Sequence, residues 1–165
     1  MKNLIVLVAL LLTSHLSAQT DCPCCDEFHQ QFDFWVGSWI VSDTTGKEVG
    51  SNEIVKIENG CALTESWLSS QGVTGSSMNF FDPSDSTWNQ VWIDNSGGVI
   101  KLKGHFINDQ MVLKSDIIKG KKVNYFSQIS WSKNEDGSVT QLWQVFSEEG
   151  KLLSTPFEGV YRKVD

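Results

Sequence analysis

The chain has no excess of positive charge, no apolar run long enough to span a bilayer, and no assembled catalytic or metal-binding motif. Thirteen Lys and Arg stand against twenty Asp and Glu, for a net charge of −7. Such an acidic surface repels phosphate backbones, and no basic stripe is visible, so nucleic acid is not an expected partner. The run "LIVLVALLL" at residues 4–12 falls well short of the ~20 residues that cross a membrane. No Ser/His/Asp set, phosphate-cradling glycine loop or paired-histidine motif occurs, which removes the most readily recognised catalytic classes. There is also no linker, low-complexity tract or internal repeat, and no useful helical period after residue 33.

At an N-terminus, the short apolar run has a meaning of its own. Lys2 precedes it and "TSHLSAQ" follows, with Ala18 as a cleavage edge, so residues 1–19 are expected to be a secretory signal peptide. The mature protein is then expected to be exported, periplasmic or secreted, with no membrane span. Cys22 follows Asp21 rather than a small residue, which argues against lipidation. Cys22, Cys24, Cys25 and Cys61 would meet an oxidising compartment, where disulfides are the default. Three pairings are possible, and the preferred one joins Cys24 or Cys25 to Cys61, tethering the N-terminal segment to the body. "CPCC" plus one distant Cys lacks the doubled C-x-x-C spacing of a zinc site, so no metal is expected.

What remains after the leader is enough for one domain with one core. Residues 20–33 read as a Cys-rich segment with a short helix, "DEFHQQF", whose acidic opening suits a helix N-terminus. Residues 34–165 read as about ten short alternating runs, rich in Val, Ile, Phe, Trp and Thr and separated by Gly, Asn, Asp and Ser. Short joins favour antiparallel neighbours in sequence order. Closure into a barrel would remove both edges of such a sheet. The expected fold is all-β: an up-and-down antiparallel barrel of about ten strands with a short N-terminal helix. A barrel of this size can hold one small ligand.

Seven tryptophans are spread through the chain, and several runs place them on one face with polar groups. Trp88, Gln90, Trp92 and Asp94 alternate in one run, Leu63, Glu65, Trp67 and Ser69 in another, and Val139, Gln141, Trp143 and Val145 in a third. A mixed Trp, Gln and Glu lining suits a cavity that orients an apolar or aromatic molecule. Glu65, Trp67, Asn79, Gln90, Trp92, Gln141 and Trp143 are therefore the candidate ligand-binding residues. The alternative is that these faces meet solvent.

Four segments carry a resemblance. "FWVGSW", "GCALTESW", "WNQVWID" and "GVYRK" resemble, in order, the motifs of an uncharacterised bacterial family of calycin-like barrels related to lipocalins and nitrobindins. The resemblance covers most of the chain and implies a ten-stranded barrel but no particular activity. It also implies that Gly37 and Trp39 form the G-x-W signature at a closed barrel end, with Arg162 of the last strand stacked on the Trp39 ring. Trp35 is expected to pack under the N-terminal helix. Nitrobindin-like barrels hold haem through a histidine. Of the three here, His15 leaves with the leader, His29 lies in the helix, and His105 shares a face with Lys101 and Lys103, so no cofactor is expected. Two other functions stay open. One is a lipocalin-fold enzyme using a buried Glu65 as acid or base, with Tyr125 as a nearby phenol. The other is an envelope interaction module without ligand. Glu65 is alternatively a structural carboxylate bonded to backbone or Arg162.

Overall fold

In a computed structural model, which describes residues 22–164, the alternating runs form ten antiparallel strands. They are β1 (Gly37–Ser42), β2 (Glu48–Ile57), β3 (Ala62–Ser69), β4 (Thr74–Asp82), β5 (Thr87–Asp94), β6 (Val99–Ile107), β7 (Gln110–Lys114), β8 (Tyr125–Lys133), β9 (Val139–Ser147) and β10 (Leu152–Lys163). Each pairs with its sequence neighbour, and β10 pairs back onto β1. The sheet thus closes as a calycin/lipocalin-like barrel. The leader expected at residues 1–19 lies outside the described residues, as does the C-terminal residue. No helix among the described residues is long and apolar enough to cross a membrane.

The helix α1 (Glu27–Gln30) is one turn long and is started by Asp26, whose carboxylate accepts from the Phe28 and His29 amides at 2.9 and 3.0 Å. A 3₁₀ turn (Asp33–Trp35) follows and leads into β1. This segment seals one end of the barrel. Phe32 and Trp35 are fully buried there, stacked with ring centroids 4.9 Å apart, and both pack against Trp131. Trp39 lies beside them, 1 % exposed, and its Nε1 donates to the Trp35 carbonyl at 2.9 Å. The Trp35 ring thus packs against Phe32, Trp131 and Tyr161, and its backbone carbonyl satisfies the Trp39 indole. Gly37, at φ 142°, makes the bend that brings the two together.

One residue of the expected barrel closure is corrected. Lys163, not Arg162, lies over Trp39, with Nζ 5.3 Å from the ring centroid. The reason is strand parity. Trp39 pairs with Lys163 across β1 and β10, while Arg162 pairs with Ile40 on the opposite face and is exposed. A one-residue step along a strand exchanges the two faces.

Two disulfides tie the N-terminal segment down. Cys24 bonds Cys61, and Cys22 bonds Cys25. The first links the segment before α1 to the turn that opens β3. The last strand, β10, starts at Leu152 and shifts register against β9 on the way to Phe157. Pro156 sits in this irregular stretch, which suits a residue with no amide hydrogen to give the ladder.

Candidate functional site

The end opposite the N-terminal seal contains a cavity of about 220 Å3. Its position follows from alternation on each strand. On β3, Leu63, Glu65 and Trp67 point inward, and on β5 Trp88, Gln90 and Trp92 do. In both strands the first residue is buried in the sealed core, the second forms a polar floor, and the third stands at the wall of the cavity. β9 adds Gln141 and Trp143.

Six of the seven candidate residues thus line one cavity: Glu65, Trp67, Gln90, Trp92, Gln141 and Trp143. Asn79 is fully buried one step behind, and its Oδ1 accepts from Gln90 Nε2 at 2.8 Å. Pattern reasoning left out Phe157 and Tyr161 of β10, and Ile100, Ile129 and Trp131. Tyr161 is the phenol at the site. Tyr125 is not on the cavity wall; it pairs with Ser147 and bridges to Ile118 at the open end of β8. The alternation in "GVYRK" puts Tyr161 and Gly159 on one face, which was the available signal.

Two glycines make room for the large rings. A Cβ on Gly75 would fall 2.0 Å from Trp92 Cζ2, and one on Gly50 would fall 2.4 Å from the Leu68 carbonyl and 2.7 Å from the Trp67 ring. The Trp92 indole thus lies over the bare backbone of Gly75 in β4, and the Trp67 indole over that of Gly50 in β2. Trp67 also meets Phe157 edge-on at 6.1 Å. Both line an outer hollow of about 630 Å3 that adjoins the cavity. Trp143 is oriented from behind, its Nε1 donating to Ser127 Oγ at 3.1 Å.

Glu65 is the chemical centre of the floor. It is 4 % exposed, and neither a backbone group nor Arg162 binds it. Asn52 Nδ2 donates to Oε1 at 2.7 Å and Ser77 Oγ to Oε2 at 2.6 Å. Asn79 Nδ2 in turn donates to Ser77 Oγ at 2.9 Å, which extends the network to Gln90. Burial pushes the Glu65 carboxyl up to about 7, against the opposing effect of its two donors. The Tyr161 phenol is raised well above its ordinary range by burial and by the nearby Glu65, so it stays protonated. Tyr161 donates to Gln141 Oε1. Asn52 Oδ1, beside the carboxylate, is buried without a donor.

The two histidines among the described residues stand elsewhere. His105 is exposed on the outer face of β6, and His29 is paired with Asp26 in α1. Among the described residues no group of three or more His, Cys, Asp or Glu could hold a metal ion. No protein-family model and no curated protein matches the chain. The barrel, with its internal hollow, is compatible with holding a small molecule.

Proposed function

We propose that this is an exported barrel protein that reversibly binds a small apolar or aromatic molecule in the cavity between Trp67, Trp92 and Trp143. We also propose that it belongs with the calycin-like family whose motifs it resembles. The observation that supports binding is the make-up of the cavity wall. Indole and aliphatic surface dominates it, and a few polar groups converge on a single floor. A protein that needed only a stable barrel would gain more by filling this volume, because a void forfeits packing. The volume sets the scale of the occupant, since an apolar cavity of roughly 150 Å3 already holds benzene.

The test is titration of the protein with a panel of small aromatics, followed by calorimetry and by tryptophan emission. Saturable binding that quenches emission supports the reading, since four indoles line the site. Absence of binding across the panel, together with no small molecule carried through native mass spectrometry of protein from its own host, overturns it. The acid/base reading has one feature in its favour: burial pushes the Glu65 carboxyl up to about 7, close to neutrality, at the floor of the cavity. It is separated from simple binding by whether any bound probe is chemically changed.

A further inference from the structure

We propose that the occupant is an aryl-alkyl ammonium, its charge against Glu65 and its ring against Trp67, Trp92 and Trp143. This rests on the binding reading above and names the chemistry of the ligand. The first ground is charge balance. Among the described residues, Glu65 and Tyr161 are the titratable groups on the cavity wall, and no Lys, Arg or His lines it. Among the described residues no salt bridge reaches Glu65. A buried carboxylate ordinarily has a cationic partner, and here the protein supplies none.

The second ground is the hydrogen-bond pattern. Asn52 and Ser77 each donate to a different Glu65 oxygen, which matches a carboxylate that only accepts. The protonated acid would have to turn one of these donors around. The floor therefore suits a ligand that brings both N–H donors and positive charge. The third ground is the wall. Indole faces attract ammonium groups through their quadrupole, most strongly where water is excluded. An overall charge of −7 draws cations toward the mouth.

The competing arrangement is a neutral or anionic ligand that accepts a proton-mediated hydrogen bond from Glu65 in its acid form. The two differ in the sign of their pH dependence. The groups against the carboxyl are Asn52 of β2, Ser77 of β4 and Tyr161 of β10, none of which changes charge between about pH 5.5 and 8. An ammonium ligand then binds more tightly as pH rises and Glu65 ionises, whereas an acceptor ligand binds more weakly.

The experiment is calorimetry of the full protein with 2-phenylethylamine and with its neutral isostere 2-phenylethanol at pH 5.5 and pH 8, repeated with Glu65→Gln. At pH 8 the amine is expected to bind about tenfold tighter than the alcohol, an advantage of the size that one charge-assisted hydrogen bond to a carboxylate supplies. The advantage shrinks at pH 5.5 and is lost in Glu65→Gln. Equal or tighter binding of the alcohol at pH 8 overturns the ammonium assignment and leaves ligand binding standing. So does an amine preference that survives in Glu65→Gln. Should that variant not fold, the wild-type slope decides, and amine affinity that is flat or falls toward pH 8 overturns the proposal. Failure of both probes to bind at millimolar concentration overturns the proposal, and the wider panel then decides whether the binding reading falls with it.

Discussion

Glu65 is held in two opposed ways. Two donors favour its ionised form, and burial disfavours it more strongly, which leaves the carboxyl titrating at about 7 instead of its ordinary 4.5. The folded protein then binds this proton more tightly than the unfolded chain does. Its contribution is fully present below the ordinary value and is lost as pH rises through the folded one. Stability measured by urea unfolding is therefore expected to fall by about 2 kcal/mol between pH 5.5 and pH 8, and Glu65→Gln is expected to flatten that slope. Trp39 shows a different kind of dependence on its surroundings. Its ring is buried, its indole N–H is satisfied by the Trp35 carbonyl, and Lys163 covers it. Trp39→Ala is expected to lower stability by about 3–5 kcal/mol, the usual result of emptying a buried aromatic site. Lys163→Ala should cost about 0.5–1 kcal/mol and Arg162→Ala less, read from thermal melting of the two side by side. The reverse order would reject the observed parity of β10.

The strands carry the site as repeated pairs of opposing choices. β5 places the Trp92 indole over Gly75 of β4, and β3 places the Trp67 indole over Gly50 of β2, in each case rather than over a side chain. Filling that space displaces the ring. Gly75→Ala is expected to cost about 1–3 kcal/mol by overpacking and to weaken binding of aromatic probes together with the change in Trp emission. A Gly75→Ala protein with unaltered melting and probe affinity would show that Trp92 has free room to move. The N-terminal segment depends on a different kind of tie. The Cys24–Cys61 bridge spans a separation of 37 residues, whereas Cys22–Cys25 spans 3. Releasing the longer loop by Cys24→Ser with Cys61→Ser is expected to cost about 3–4 kcal/mol, and Cys22→Ser with Cys25→Ser much less, since the chain-entropy gain grows with loop length. Denaturant midpoints of the two double variants check this ordering.

The barrel divides along its axis into a sealed half and a hollow half. The division is set by side-chain bulk at successive inward positions. Phe32, Trp35, Trp39, Trp88 and Trp131 fill the end covered by α1 and the 3₁₀ turn. The opposite end, where Trp67, Trp92 and Trp143 stand apart, keeps its volume. Much of this was legible in one dimension. Alternation with a period of two, broken by turn residues, specifies antiparallel strands, and ten of them joined by short connections leave closure as the way to avoid free edges. The same alternation groups Glu65 with Trp67, and Gln90 with Trp92, whichever way the faces point. It does not say which residues of distant strands meet. Asn52 and Ser77 reach Glu65 from the strands on either side, and Tyr161 approaches through the closure of β10 onto β1. The choice of Cys24 for Cys61, and of Lys163 for Trp39, likewise depends on which atoms closure brings within a few ångströms. Local pattern determined the strands, their order and the partition of each into two faces, because these follow from backbone geometry and burial. Only the tertiary structure decided the register of the closing pair, the partners of the buried carboxyl and the place where the core is left hollow, because those are properties of contacts between residues far apart in the chain.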